Sequence, residues 1–420
     1  ISALSNAQHL TKLGHPLITN FPPESYNGAE QTWSIVQDDR GVMYFGTETN
    51  GVLEYDGNSW RKINVTDGKP VYSMVKGNNG TIYVGTSGDF GYLEPNAQGK
   101  LEYVSLAQNL PDSIRQGFTH VFKTYSYKEN IYFCTFAYIF KYDGKEIFPI
   151  FLGDRRETGN FFTFLIDNII YVGSYLKGLA IYNEDGTHKL APGSKSFEGK
   201  DIYNILKLDE SHLLVITSDG YYKYNFKNGA TAVFDDPDGF FKKMTDQLGL
   251  PYHSILFDNK IGIGMVQSDM FSFIELNKNG SPQNIINKGI GLHGSQVPFL
   301  FKENEAPLWL ALFDGGIAKA EINSSIRRFA KESGIDEIIN DIVRFDETIY
   351  IATFNGVYYL SSEKNSTPVF KPVENINGLV WDLLIFYPKN SKPILLAGTY
   401  INGVYEIKGN RGMSISDPLK

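Results

Sequence analysis

The strongest constraint on this chain is a sequence unit of about 43 residues that returns nine times. Clear copies run from Thr32 (TWSIVQDDRGVMYFGTETNGVLEYDG), from Val71 (VYSMVKGNNGTIYVGTSGDFGYLE) and from Leu379 (LVWDLLIFYPKNSKPILLAGTYINGVYEI). Each copy opens on a small polar anchor: Ser34, Ser73, His120, Thr163, Asn204, Ser254, Pro298, Asp341 and Asp382, only Pro298 being non-polar. Several anchors follow an aromatic residue, and two apolar residues come next, as in Ile35-Val36 or Leu383-Leu384. Adjacent apolar residues in a short strand mean that both faces are covered. A period of this length with strand content predicts a β-propeller.

The remaining columns define a blade. A second strand reads aromatic or aliphatic, aliphatic, small, Thr, as in Tyr83-Val84-Gly85-Thr86 or Tyr350-Ile351-Ala352-Thr353. The small residue allows neighbouring sheets to approach closely. A Gly turn leads into a third strand such as Gly51–Tyr55 or Gly403–Ile407, and Asp56-Gly57 and Asp143-Gly144 supply hairpins to a variable fourth strand. The expected fold is therefore all-β, built from four-stranded antiparallel blades. The sixth copy, from His253, is the least regular. Only Phe240–Leu248 and Glu332–Ile338 read as short helices.

Nine copies are an unusual count, and the spare strand in the leader favours a single nine-blade ring. The alternatives are seven blades followed by two of a second propeller, and eight blades with one copy miscounted. Residues 1–31 read as a leader and 32–420 as propeller repeats. The leader carries a spare strand, Leu17–Phe21, expected to complete the last blade, whose own fourth strand near Met413–Ser416 is weak. Strand exchange of this kind protects an open sheet edge.

Composition narrows function. The net charge of −8 opposes non-specific binding to nucleic acid or anionic membranes. The single cysteine, Cys134, forms no intramolecular disulfide and occupies the small-residue column of the third copy. No apolar run is long enough for a membrane helix. The chain starts at Ile1 without Met or a signal sequence and reads as a processed chain or trimmed fragment.

The copies WSIVQDDRGVMYFGTETNGVLEYDG and IYIATFNGVYYL resemble the two-component regulator propeller repeat. The leader ITNFPPESY running into WSIVQD is similar to the amino-terminal part of large envelope sensors of Bacteroidetes-type bacteria. The resemblance implies a periplasmic sensing domain, without enzymatic activity or cofactor of its own, whose output module lies outside this chain. Several family members sense glycan fragments. The implied partners are an oligosaccharide or other small ligand, and a second copy through the parent receptor.

The expected ligand site is the channel face. Aromatic residues at strand starts (Trp33, Tyr72, Tyr203, Trp381) would share it with Glu48, Asp89, Tyr175, Asp314, Asn355 and Tyr400 from the loops after second strands. Aromatic platforms flanked by carboxylates and amides suit sugar rings. Two alternatives stay open: a propeller that only binds a protein partner, and a glycan-active enzyme. A hydrolase would need opposed carboxylates, with Glu48, Asp89 and Asp314 as candidates. A lyase would use a channel histidine, His120 or His253. Asp38-Asp39 and Asp235-Asp236 read as solvated turns. No metal-ligand spacing and no phosphate-binding loop is present.

Overall fold

The computed structural model describes residues 14–154, 158–234, 249–268, 271–303, 306–329, 331–361, 369–415. Phe240–Leu248, Asp235-Asp236 and His9 lie outside them. In place of a helix at Glu332–Ile338 there is a single 3-10 turn, Lys331–Ser333. Nine four-stranded antiparallel sheets account for the architecture, and the irregular sixth copy forms a complete sheet beginning with Leu250–Phe257.

The nine sheets do not make one ring. The chain divides into two compact units, Ile18–Asn323 and a second comprising residues 1–17 with Ser324–Lys420. In the larger unit, blades 1–7 have the first strands Thr32–Gln37, Val71–Lys76, Lys123–Tyr127, Asn160–Ile166, Ile202–Lys207, Leu250–Phe257 and Phe299–Phe301. Each adjoins the next, and the last returns to the first. Seven apolar clusters fill the seven spaces between blades. Val36, Tyr44 and Val84 lie between blades 1 and 2, for example, and Ile35, Phe45 and Trp309 between blades 7 and 1. Ile35 and Val36 thus enter clusters on opposite faces of one sheet, the packing that their adjacency predicts.

The leader strand closes this ring, and here the sequence expectation is corrected. Ile18–Phe21 pairs antiparallel with Ile317–Ala320, the third strand of blade 7, from Ile18 opposite Ala320 to Phe21 opposite Ile317. It does not complete blade 9, which uses its own Arg411–Ser414. The seam suits these residues. Phe21 stacks on Trp309 at 5.7 Å and meets Tyr55 and Trp60 of blade 1 at 5.5 and 5.6 Å. Asn20 donates from Nδ2 to Gly291 O and accepts from His293 N, at 2.8 and 3.0 Å.

The small-residue column has a direct steric cause. A Cβ on Gly46 would lie 2.7 Å from Val71 O of the next blade. Three residues of the polar column across from it bridge neighbouring blades. Ser73 Oγ donates to Val121 O at 2.7 Å, Asn204 Nδ2 to Ser254 O at 3.3 Å, and Leu300 N donates to His253 Nδ1 at 3.2 Å. Removing one such latch leaves a buried partner unsatisfied. Ser73→Ala is therefore expected to lower stability by about 1–2 kcal/mol in urea denaturation. An unchanged midpoint would show that the latch is dispensable.

The smaller unit contains blades 8 and 9, starting with Ile339–Phe345 and Val380–Phe386. They pack on each other through Tyr350, Ala352, Leu383 and Leu395. Asp341 accepts from Leu383 N at 2.8 Å, so the polar latch recurs. In contrast to blades of the ring, Ile342 and Leu384 are more than half exposed.

Candidate functional site: the central channel

The first strands of all seven blades enclose a cavity of about 260 Å3 along the ring axis. Above it the aromatic residues form a continuous collar. Trp33 meets Tyr72 at 5.0 Å, Tyr72 meets Phe122 at 5.2 Å, and Phe122 meets Phe162 at 6.1 Å. Phe162 meets Tyr252 at 6.0 Å, Tyr252 meets Phe313 at 6.2 Å, and Phe313 returns to Trp33 at 4.5 Å. These contacts are tilted or edge-on, the arrangement favoured by the ring quadrupoles. A β-bulge at the start of the first strand in blades 1, 2, 4, 5 and 6, such as that between Thr32 and Ser34, brings Trp33 to this position.

Strand register identifies the residues beneath the collar. The position opposite Gly46 in blade 1 is Ser34, and the matching pairs are Ser73 with Gly85, Lys123 with Cys134, Asn204 with Ile216, His253 with Gly264 and Phe299 with Ala311. The sequence anchors were thus displaced by one residue in blades 6 and 7 and by three in blade 3. Lys123 occupies a column of small polar latches, yet it bridges no blades. Tyr125 does that for blade 3, its hydroxyl donating to Thr163 O at 2.8 Å.

Lys123 is surrounded by protein, and its remaining accessible surface faces the cavity. Its ammonium lies 5.1 Å from the centre of the Phe162 ring and has no carboxylate partner among the described residues. Burial pushes its pKa down to about 8. His253 lines the same cavity and stacks on Phe299 at 4.1 Å. Burial first, and the Lys123 charge second, hold its imidazole well below the usual histidine range. Because Nδ1 accepts from Leu300 N, the neutral ring carries its proton on Nε2. The other titratable groups of the lining are Tyr72, Tyr125 and Tyr252, all raised by burial, Tyr252 to about 12. Among the described residues the cavity lining therefore holds one cation and no carboxylate.

The expected site residues separate into groups. Trp33 and Tyr72 line the cavity, and Glu48 is near enough to add to the upward shift of Tyr72. Tyr203 is buried in the core between blades 4 and 5. Asp89 accepts from Phe90 N and Ser105 Oγ, both at 2.7 Å, inside blade 2, and burial raises its pKa. Asp314 accepts from Ser295 N and Oγ, Gln296 N and Lys288 Nζ; these bonds outweigh burial and lower its pKa. Tyr175 is an exposed loop residue whose N–H donates to Gly159 O. Trp381, Asn355 and Tyr400 belong to the two-blade unit and share no ring with the others. There Asn355 donates to Glu337, and Trp381 and Tyr400 are exposed. Glu48, Asp89 and Asp314 are not among the cavity-lining residues, so among the described residues the channel presents no opposed carboxylates. Sequence reasoning missed Lys123, Phe122, Tyr252 and Phe313. Counting back from Cys134 across the Tyr127–Asn130 hairpin would have found Lys123.

No protein-family model matches the chain, and no curated protein matches it. Solved structures do. An extracellular domain described as part of the hybrid two-component system BT3049 of B. thetaiotaomicron superposes with a TM-score of 0.62 at 16% identity, over 95% of this chain and 54% of that one. The extracellular domain of BT4673 from the same organism, described as a one-component system, gives 0.55 at 16%, over 94% and 53%. Virginiamycin B lyase from Staphylococcus aureus gives 0.53 at 14%, over 72% of this chain and 98% of the lyase. The chain spans about half the length of the B. thetaiotaomicron domains it matches. It is a β-propeller protein of the architecture found in those extracellular domains. Among the described residues no helix is long and apolar enough to cross a membrane.

Proposed function

We propose that this chain is an extracytoplasmic ligand-sensing region of a two-component-type signalling protein, placed in the periplasm and binding a carbohydrate or other small molecule at the channel of its seven-bladed ring. The observation that carries this reading is the cavity beneath the aromatic collar, where the ring offers apolar faces and hydrogen-bonding groups together. The shared architecture with extracellular domains of Bacteroides regulators supports the sensor class. Ligand binding would change domain packing or the pairing of receptor copies.

The enzymatic alternatives have less support from the site. Among the described residues no hydrolytic carboxylate pair lines the cavity. His253 has its proton on Nε2 and its Nδ1 lone pair occupied by Leu300 N, so neither nitrogen is ready to act as a base. A panel of oligosaccharides screened by thermal shift and calorimetry tests the proposal. At least one is expected to bind, with Trp33→Ala weakening it tenfold or more and Trp381→Ala leaving it unchanged. Binding that ignores Trp33→Ala would remove the channel from consideration.

A further inference from the structure

The cavity contains a charge that the fold does not use. At the register position of Lys123, the ring places Ser34, Ser73, Asn204, His253 and Phe299, of which Ser73, Asn204 and His253 hydrogen-bond with the next blade. Lys123 makes none and faces the enclosed space. Its nearest charged-capable neighbours offer nothing to neutralise it. The Cys134 thiol opposite it is kept protonated by burial, His253 is neutral, and the tyrosines of the lining stay un-ionised.

Hydrogen-bonding capacity is unbalanced in the same sense. His253 carries its proton on Nε2, and that N–H has no hydrogen-bond partner among the described residues. A buried donor without an acceptor is unfavourable, and an unpaired buried ammonium more so. The lining thus has a surplus of donors and of positive charge, and one species corrects both.

We propose that the channel is a receptor site for a small monoanion, a carboxylate-bearing molecule of about one sugar ring, held by the Lys123 ammonium with a donor from His253. The inference rests on the reading of the channel as the ligand site and specifies what that site accepts. A single cation matches a carboxylate better than a dianionic phosphate, which would remain half-neutralised. The volume of about 260 Å3 falls just below the ordinary range of ligand pockets, about 300–1,000 Å3, and limits the occupant to a small molecule. The collar would cover its apolar face.

D-glucuronate and D-glucose differ at C6 by a carboxylate against a hydroxymethyl group, so calorimetry with this pair on the full chain at pH 7 isolates the charge. The expected result is glucuronate binding at least tenfold tighter than glucose. Lys123→Met should abolish that preference, and the Lys123 Nζ resonance should titrate at higher pH when glucuronate is present. Glucuronate binding of equal strength in Lys123→Met, or no binding of glucuronate at millimolar concentration, overturns the proposal. Glucose bound as tightly as glucuronate, with loss in Trp33→Ala, would overturn the anion site while leaving the carbohydrate sensor intact. If neither sugar nor any member of the oligosaccharide panel binds, both readings fall.

Discussion

Phe21→Ala is expected to open the seven-bladed ring at its seam and to lower stability by about 2 kcal/mol, below the range of about 3–5 kcal/mol for a fully buried aromatic because Phe21 is only partly buried. The ring of Phe21 touches Trp309, Tyr55 and Trp60, so one residue of the leader ties blade 7 to blade 1. Its truncation leaves a cavity where the two sheets meet and weakens a short edge strand. Urea denaturation measures the loss, and hydrogen exchange locates it. Protection should fall in Ile317–Ala320, the partner of the leader strand, and not in Val404–Lys408 of blade 9. The opposite pattern would restore the nine-blade ring and refute the closure described here.

Lys123→Met should produce the second large effect, in the stabilising direction. The folded-state pKa of Lys123 is about 8, against 10.5 for the ordinary lysine. Between those values the unfolded chain holds the proton and the folded chain does not. Stability contributed by this position therefore rises with pH from about 8 to 10.5, and below 8 the full penalty applies. A shift of this size corresponds to about 3 kcal/mol. At pH 7 Lys123→Met should gain about that amount in denaturant unfolding, and the gain should shrink toward zero as pH passes 10. Methionine has a similar length and fills the space without a charge. The difference between the two proteins cancels other groups that titrate in this window. A flat pH dependence, or a loss of stability, would mean that the ammonium is already compensated.

Much of the fold is legible because its causes are local. Gly46 and Gly85 mark where a Cβ would strike the next blade, and Ile35-Val36 reports two covered faces. Ring size depends instead on a pairing between Ile18–Phe21 and Ile317–Ala320. No repeat count contains that choice. Phe21 decides it by fitting between Trp309 and Trp60, a match visible only in three dimensions.

The site was half legible for a related reason. Trp33 and Tyr72 stand directly before clear anchors, and both line the channel. The polar anchors themselves were open to a chemical reading, yet Ser73 and Asn204 are latches. In the third copy His120 looked like the anchor because it is polar and precedes apolar Val121-Phe122. The bonds from Val121 N to Thr86 O and from Phe122 N to Cys134 O push the register on to Lys123. Trp381, Asn355 and Tyr400 fit the repeat columns as well as Trp33 does, but they belong to the two-blade unit and not to the seven-bladed ring.

The seam also sets a timetable. Ile18 and Ala320 are partners across roughly 300 residues, and bringing such distant segments together costs about 5 kcal/mol of chain entropy before any contact forms. Blades 1–6 are hairpins whose strands are sequence neighbours, so each can form as soon as it is synthesised. The leader strand is made first and must wait for the last blade of its ring. Throughout that interval its backbone is an unpaired edge, and the nascent chain is most open to aggregation and proteolysis at the residues that will later lock it.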